Sequence, residues 1–485
     1  MSNEFKITGP ATAELDVGAA TPITVIGNAA IRETFCDTTI QQARNSRLAP
    51  GVTDLVLNPD AHLGFGAPVG SVLVSPTHIY PGPVGVDIKC SMSLLQLDLP
   101  EEAIRDRRTR RALINAITER TPTGAGRGQR HVKKSRRFGD SAGRNAIVQG
   151  ATSEVCKQFG VPQSWAERCE DAFHVGHDGT RDALAERLEF FKREGRYERL
   201  RGKFGQLGSY GGGNHFGECE TVHVEDREKA AVFGLRDGHV AFLSHCGSRG
   251  LGHDLAVAQF RALAESIERQ GKELPAGERN LVYAELGTPD ANAYLDDMAL
   301  GANFATVNHM LINSLVLEAF QQVIPGVRGE LVYFISHNIA RQEGDQWVHR
   351  KGATRAFPAG HPALAHTPFA ETGHPILLPG NPRDGSVVMA AEAGAERSAY
   401  SVNHGAGRSL GRRAAKRTLE QASVDREFED HDILFNSRTY PLDEAPDAYK
   451  DFGEVLDSVE QAGLAKPVAR LRARFVIKDG APADD

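Results

Sequence analysis

The sequence predicts a mixed α/β fold (α/β or α+β), and three observations carry that expectation. Short apolar runs rich in β-branched residues recur along the chain. Stretches with apolar residues three and four apart lie between them. No internal repeat or low-complexity tract interrupts the pattern. Taken in order, "DLVLN" (54–58), "GSVLVS" (70–75) and "SLLQLDL" (93–99) read as strands. "EEAIRDRRTRRALINAITER" (101–120) then has helical spacing, "HVAFLSH" (239–245) is a strand, and "HDLAVAQFRALAESIERQG" (253–271) is again helical. Thr288 followed by Pro289 marks a helix start: a threonine oxygen caps free amides, and proline's missing N–H costs nothing in the first turn. That helix is predicted to run to Val323. "ELVYFISH" (330–337), "PILLPG" (375–380) and "SVVMA" (386–390) complete the strands.

The chain has 485 residues, 40% apolar and 25% charged, the balance of a soluble globular protein long enough for two or three average domains. Its start, "MSNEFKITGPATAEL", lacks a basic segment followed by an apolar run, and stretches such as "INSLVLEAF" are too short to span a bilayer, so a cytoplasmic protein without a membrane partner is expected. The six cysteines, at 36, 90, 156, 169, 219 and 246, form no CxxC pair, which argues against a disulfide framework. Cys36, Cys156 and Cys169 are expected as buried, inert thiols. The net charge of −7 alone argues against nucleic acid. Two segments run the other way. "GRGQRHVKKSRRFG" (126–139, within a basic surface segment 120–140) has Arg127, Arg130, Lys133, Lys134, Arg136 and Arg137 with no acid before Asp140, and "GRSLGRRAAKR" (407–417) is equally free of acids. Either segment suits phosphate binding or a solvated face.

Polar residues cluster where strands should end. "HVAFLSHCGSRG" ends a strand on His245 and "ELVYFISHNIA" ends another on His337, a rigid way to deliver an imidazole. In "GSYGGGNHFGECE" (208–220), Gly211 to Gly213 precede Asn214 and His215; three glycines carry an entropic cost and either let backbone approach a ligand or adopt conformations closed to other residues. "SVNHGAGRSLGRR" (401–413) repeats the grammar with Asn403, His404, Gly405, Ala406, Gly407 and Arg408, where a phosphate could reach the ring and Arg408 balance its charge. "VGVDIKCS" places Asp87 three residues before Cys90, a thiol open to four readings: core filler, half a disulfide, nucleophile or metal ligand. Asp87, Cys90, His215, His245 and His337 are together the right donor types for divalent transition metals, and too many for one four-coordinate structural zinc. A bridging thiolate could serve two ions, an arrangement suited to phosphoryl chemistry.

In order along the chain, "NPDAHLGFGAPVGSV", "VGVDIKC", "GGGNHFGE", "SHCGSRGLGH", "SHNIARQE", "VHRKGATRAFP", "NHGAGR", "DEAPDAYKD" (443–451) and "FVIKDG" (475–480) resemble the RtcB-type RNA ligases over most of the sequence. The resemblance implies a GTP- and manganese-dependent ligase that joins an RNA 3′-phosphate or 2′,3′-cyclic phosphate end to a 5′-hydroxyl end, in tRNA splicing or RNA repair. It implies two manganese ions on Asp87, Cys90, His215, His245 and His337, with Cys90 shared, and His404 as the nucleophile that takes GMP. Asn214, His215, Glu218, His337, Asn338, Pro379, Gly380, Asn381, Ser386, His404, Gly405, Ala406, Gly407, Tyr449 and Lys478 would surround the guanylate. GMP would pass from His404 to the RNA 3′-phosphate, giving RNA(3′)pp(5′)G, before the 5′-hydroxyl seals the strand. A monomer served by an archease-type activator is the expected assembly, and because the implied site spans positions 87 to 478, residues 1–485 are expected to act as one domain.

The chain departs from the family pattern at Lys89 and Ser91, which flank Cys90, at "PGNPRDGS" (379–386) and after Arg408. A side chain beside Cys90 is expected to crowd or re-aim the metal loop, and Arg383 and Asp384 to bear on nucleotide affinity or end preference. The departures are those of a divergent paralogue. The competing reading is a two-metal phosphatase or phosphodiesterase acting on RNA ends without joining them; a metal- or RNA-binding protein without catalysis is the third.

Overall fold

A computed structural model describes residues 5–128, 139–437 and 439–479. Helices and strands are mixed along the chain, as the apolar periodicity predicts. One sheet has seven strands in the spatial order Phe5–Gly9, Thr12–Leu15, Ile23–Ile26, Asp54–His62, Val69–Ser75, Gln346–Lys351 and Asn338–Glu343. A second sheet runs Gly329–Ser336, Ser91–Pro100, His239–Cys246, Phe216–Val224, Ala465–Lys478, Ser386–Ala391 and Pro375–Pro379, with Leu434–Phe435 added beside Ala465–Lys478. Successive side chains of these strands point to opposite faces. Leu95 and Leu97 accordingly join the main core, which draws on residues from Ala11 to Ile477, while Met92 and Leu94 join a smaller one.

Two connections between the sheets position the site. Val69–Ser75 leads through residues 76–90 into Ser91–Pro100, and Gly329–Ser336 passes through His337 directly into Asn338–Glu343. In the second sheet, register pairs Ser336 with Ser91, Ser91 with Cys246, Phe216 with His245, and Lys478 with Phe216. These pairings are antiparallel, so the starts of two strands and the ends of three lie at one edge of the sheet. Residues 90, 215, 245, 337 and 478 reach that edge because each sits at or next to a strand terminus.

The helix Pro289–Val323 is the central support. Thr288 Oγ1 accepts the Ala291 N–H at 3.3 Å, the cap expected from the sequence. Every residue from Asp296 to Ser314 is buried, including Asn303, Asn308 and Asn313. Their amides are bonded: Asn308 Oδ1, for example, accepts the Gly208 N–H at 2.7 Å.

Some expectations change in detail. The helix expected over 101–120 is a 3₁₀ turn, Glu101–Ile104, followed by an α-helix from Arg107; Asp106 adopts extended backbone between them, and aspartate favours a cap over a helix interior. The helix expected from 253 begins at Arg249, because Leu251 and Gly252 are already packed against the core. Cys156 is buried but Cys36 is exposed, its sulfur 3.1 Å from the hydroxyls of Thr38 and Thr39 at a helix start, and Cys169 is partly buried; the cysteines are free thiols. Of the basic segment 120–140, Arg127 is exposed, whereas Arg130, Lys133, Lys134, Arg136 and Arg137 lie outside the described residues. Among the described residues no helix is long and apolar enough to cross a membrane.

Candidate active site

Two overlapping triads of donors meet at the sheet edge. The ligand atoms of Asp87, Cys90 and His215 lie within 4.8 Å of one another, as do those of Cys90, His245 and His337, so one thiol belongs to both groups. Asp87 Oδ2 is 2.7 Å from His215 Nε2, and Cys90 Sγ is 3.1 Å from His245 Nε2 and 3.5 Å from His215 Nε2. Asp87 Oδ1 accepts from the Ser248 N–H and Oγ at 3.1 and 3.2 Å. The metal loop is anchored from behind: the Lys89 N–H donates to Asn338 O at 2.7 Å and the His337 N–H to Cys90 O at 2.9 Å.

The donor chemistry fits divalent cations. His215 Nδ1 is 2.8 Å from Tyr210 O, which accepts, so Nδ1 carries a proton. In the neutral ring Nε2 is then a lone pair facing a carboxylate, a contact that requires an imidazolium or a cation. Burial, with neighbouring imidazoles, pushes His245 and His337 well below the ordinary histidine range, which keeps their rings neutral. His337 Nδ1 is buried without a hydrogen-bond partner. Burial and the Asp87 carboxylate push the Cys90 thiol well up, so a bound cation is what would make it a thiolate. Burial would raise the Asp87 carboxyl, but His215 and Arg249 outweigh it and hold it below its usual range.

His404 stands beside this cluster, its ring centroid 4.7 Å from that of His337. Its Nδ1 is 2.7 Å from Asp60 Oδ2 and 2.9 Å from Gly352 O. Both partners accept, so Nδ1 carries the proton and Nε2 keeps a lone pair. Gly352, at φ +65°, has no room for a side chain: a Cβ there would lie 2.5 Å from Val69 Cγ1 and 3.0 Å from His404 Cε1.

The His404 loop leads to a small cavity. Ala406 N–H donates to Pro379 O at 3.1 Å. Pro379, Gly380, Asn381 and Ser386 line the cavity together with Phe216, Glu218, Glu444 and Tyr449. Its volume is about 30 Å³, too little for a purine unless a wall moves outward. Glu218 Oε1 is buried with no partner, and burial together with Glu220 and Glu444 raises its carboxyl well above the usual range. Glu444 joins Tyr449 Oη, at 2.7 Å, to Lys478 Nζ, at 3.1 Å.

A family model described as tRNA-splicing ligase RtcB matches residues 42–479. The chain belongs to the RtcB family. It is 34% identical over 481 residues to the tRNA-splicing ligase RtcB of Pyrobaculum aerophilum, covering 94% of each chain. It is 32% identical over 462 residues to that of Thermococcus kodakarensis, covering 91% of each. The RNA-splicing ligase RtcB of Mycobacterium tuberculosis is 33% identical over 430 residues, 85% of this chain and 94% of its own.

The RtcB motifs are brought together by the fold. Asn338 bridges two of them, its Oδ1 accepting the Gly352 N–H at 2.9 Å and its Nδ2 donating to Asp87 O at 3.4 Å. Gly405 and Gly407 pack against Pro379 and Asp60. Asn214 is exposed and its side-chain oxygen is taken by Arg412. Of the glycines before it, Gly211 and Gly213 adopt positive φ, +79° and +82°, and at Gly211 a Cβ would overlap the Arg249 guanidinium. Arg408 is committed to Tyr449 Oη at 3.1 Å and to Asp443 O at 2.5 Å, rather than free for phosphate.

At the departures from the RtcB pattern, Ser91 and Lys89 differ from expectation. Ser91 does not crowd the metal loop, since its Oγ turns back to donate to Lys89 O at 2.6 Å. Lys89, at φ +54°, sends its side chain away from the cluster to Asp171 O, His174 and Thr306, each within 2.8 Å. Arg383 and Asp384 bond each other at 2.7 Å and Arg383 reaches Glu427 at 2.9 Å, while Asp384 Oδ2 accepts from the side chain of Asn381, a residue of the cavity, at 2.6 Å. The functional residues missed from sequence are Asp60, Phe216, Gly352 and Glu444. Each lies inside a quoted RtcB motif or next to one, but nothing local to Asp60 signals a partner 344 residues away.

Proposed function

We propose that this chain is an RNA ligase that joins a 3′-phosphate or 2′,3′-cyclic phosphate end to a 5′-hydroxyl end. GTP is its nucleotide, and two manganese ions are held by Asp87, Cys90, His215, His245 and His337. The observation that supports this most is the state of His404: a proton fixed on Nδ1, a free lone pair on Nε2, and a position against the metal cluster.

Nε2 attacks the α-phosphorus of GTP and pyrophosphate leaves, giving His404–GMP. Asp60 and Gly352 O hold the Nδ1 proton while the ring becomes cationic, the service a carboxylate gives to a catalytic imidazole. Bound manganese supplies charge neutralisation at the phosphoryl oxygens. Glu218 offers a buried acceptor to the guanine edge, whose N–H groups adenine lacks at the same positions, while Lys478 and Tyr449 close the pocket through Glu444. The RNA 3′-phosphate then takes GMP from His404 and forms RNA(3′)pp(5′)G. The 5′-hydroxyl attacks that phosphate, GMP leaves, and the strand is sealed; a cyclic end is first opened by water. Asp60 from one sheet and the metal-donor cluster at the other meet around His404, which supports residues 1–485 acting as one unit. A monomeric enzyme in the cytoplasm, served by an archease-type activator, belongs to the same reading.

The test is incubation of purified protein with manganese and radiolabelled GTP, followed by ligation of an RNA pair bearing 3′-phosphate and 5′-hydroxyl ends. Acid-labile label on the protein, lost in His404→Ala, and joining with GTP but not ATP are expected. Loss of the end phosphate without label or joining would establish the phosphatase reading instead.

A further inference from the structure

Lys450 belongs to none of the groups assigned above to metal or nucleotide, yet it is 4% exposed. Its Nζ donates to Pro59 O at 2.9 Å and to Ala61 O at 2.8 Å, the carbonyls on either side of Asp60. The ammonium also lies 4.5 Å from the centre of the Phe35 ring. Its backbone N–H donates to Gly407 O at 2.9 Å. One residue therefore grips both halves of the Asp60–His404 pair, the strand end that carries the carboxylate and the loop that carries the imidazole. At the grip the two segments already touch: a Cβ on Gly407 would lie 2.6 Å from Asp60 O.

The electrostatics point the same way. Asp60 is fully buried; Oδ2 accepts from His404, and Oδ1 has no hydrogen-bond partner. A buried carboxylate with an unpaired oxygen is costly unless a positive charge is near. Burial lowers Lys450 to about 8, and the attraction of Asp60 opposes that fall, so the two charges sense each other. An ammonium buried on carbonyl oxygens, without a carboxylate in direct contact, is itself an unfavourable placement.

We propose that Lys450 is a positioning residue for the guanylate-accepting histidine: by clasping the carbonyls that flank Asp60 and the loop of His404, it holds the carboxylate that keeps the imidazole proton on Nδ1. The proposal rests on the reading of His404 as the acceptor of GMP.

Two variants test it in the full-length protein with manganese. Lys450→Met keeps the stem and removes the donors; Lys450→Gln is one bond shorter and keeps an amide donor. Single-turnover labelling with radiolabelled GTP is expected to show a maximal rate reduced about 10–100-fold in Lys450→Met and less in Lys450→Gln. Half-saturating GTP and manganese affinity are expected to stay within about threefold of wild type, well short of that effect. Nitrogen NMR of metal-free ¹⁵N-histidine protein gives a second readout: the ring signal that vanishes in His404→Ala should report Nδ1–H in wild type and a mixture of tautomers in the variants. Wild-type labelling rates with an unchanged ring signal would overturn the proposal. So would losses of GTP and manganese affinity in step with the rate, the mark of general loosening. If Lys450→Met does not fold, Lys450→Gln decides by the same readouts. If wild-type protein takes no label while binding manganese, the functional reading fails, and the NMR comparison still decides whether Lys450 sets the ring of His404.

Discussion

A histidine that attacks phosphorus needs one ring nitrogen occupied and the other free, and at His404 the occupied one is held by Asp60 at 2.7 Å and by Gly352 O at 2.9 Å. The prediction at this scale is that Asp60→Asn lowers the rate of His404 labelling by GTP by up to about 10⁴-fold, the loss when the tautomer-setting aspartate of a serine-protease triad becomes an amide. Manganese binding should be unaffected, since Asp60 is not among the clustered donors. Unimpaired labelling in a folded Asp60→Asn protein would remove the tautomer argument. Cys90 carries the complementary expectation. Its sulfur belongs to both triads, so Cys90→Ser should reduce the manganese stoichiometry by calorimetry below two, whereas the loss of a ligand held by one triad alone would spare the other.

Among the elements, the long central helix depends on its first turn, where Thr288 Oγ1 satisfies the Ala291 N–H. Thr288→Ala should lower unfolding free energy by about 1 kcal/mol in a denaturant titration, with ligand-free secondary structure intact. The strand Ala353–Arg355 pairs with Ser401–Asn403, which runs straight into His404, and its last residue is tied down by charge. Arg355 Nε is 2.8 Å from Glu170 and its terminal nitrogen 2.8 Å from Asp171. Removing one side of such a buried pair leaves the other uncompensated. Arg355→Leu should therefore cost about 3–5 kcal/mol of stability.

For the whole molecule, the same network sets a response to acid. Burial would raise the Glu170 carboxyl from its usual 4.5, but Arg355 and the Ser336 hydrogen bonds outweigh it and bring it down to about 2. The folded value lies below the unfolded one, so this contribution is complete above about 4.5 and is lost as pH falls toward about 2. Melting temperature should drop through that window, and less steeply in Arg355→Leu. Cations should act in the opposite sense. The proposed donors are brought together only by the fold, three of them (Asp87, Cys90 and His337) from segments that join the two sheets, so a cation held by all five would bind the folded chain and not the unfolded one. At a hundred times its dissociation constant it should add about 2.7 kcal/mol per site to unfolding free energy, an increase that Cys90→Ser should diminish.

The sequence by itself determined the secondary structure of the strongly periodic segments, the cap at Thr288, and the chemical types of the site, because periodicity and motif are local properties. Asp87, Cys90, His215, His245, His337 and His404 could be named from strand ends and glycine-rich loops before any fold was known. The strand Ala465–Lys478 was legible in retrospect: Arg470 and Arg472 alternate with buried Leu471 and Ala473. Only the tertiary structure decided that Asp60 orients His404, that Glu444 joins Tyr449 to Lys478, that Asp384 holds the side chain of Asn381, and that Lys89 turns away from the metal-donor cluster. Those facts depend on which distant segments the antiparallel register brings to one sheet edge, and on which way a side chain leaves the backbone once its neighbours are packed. No local pattern encodes either.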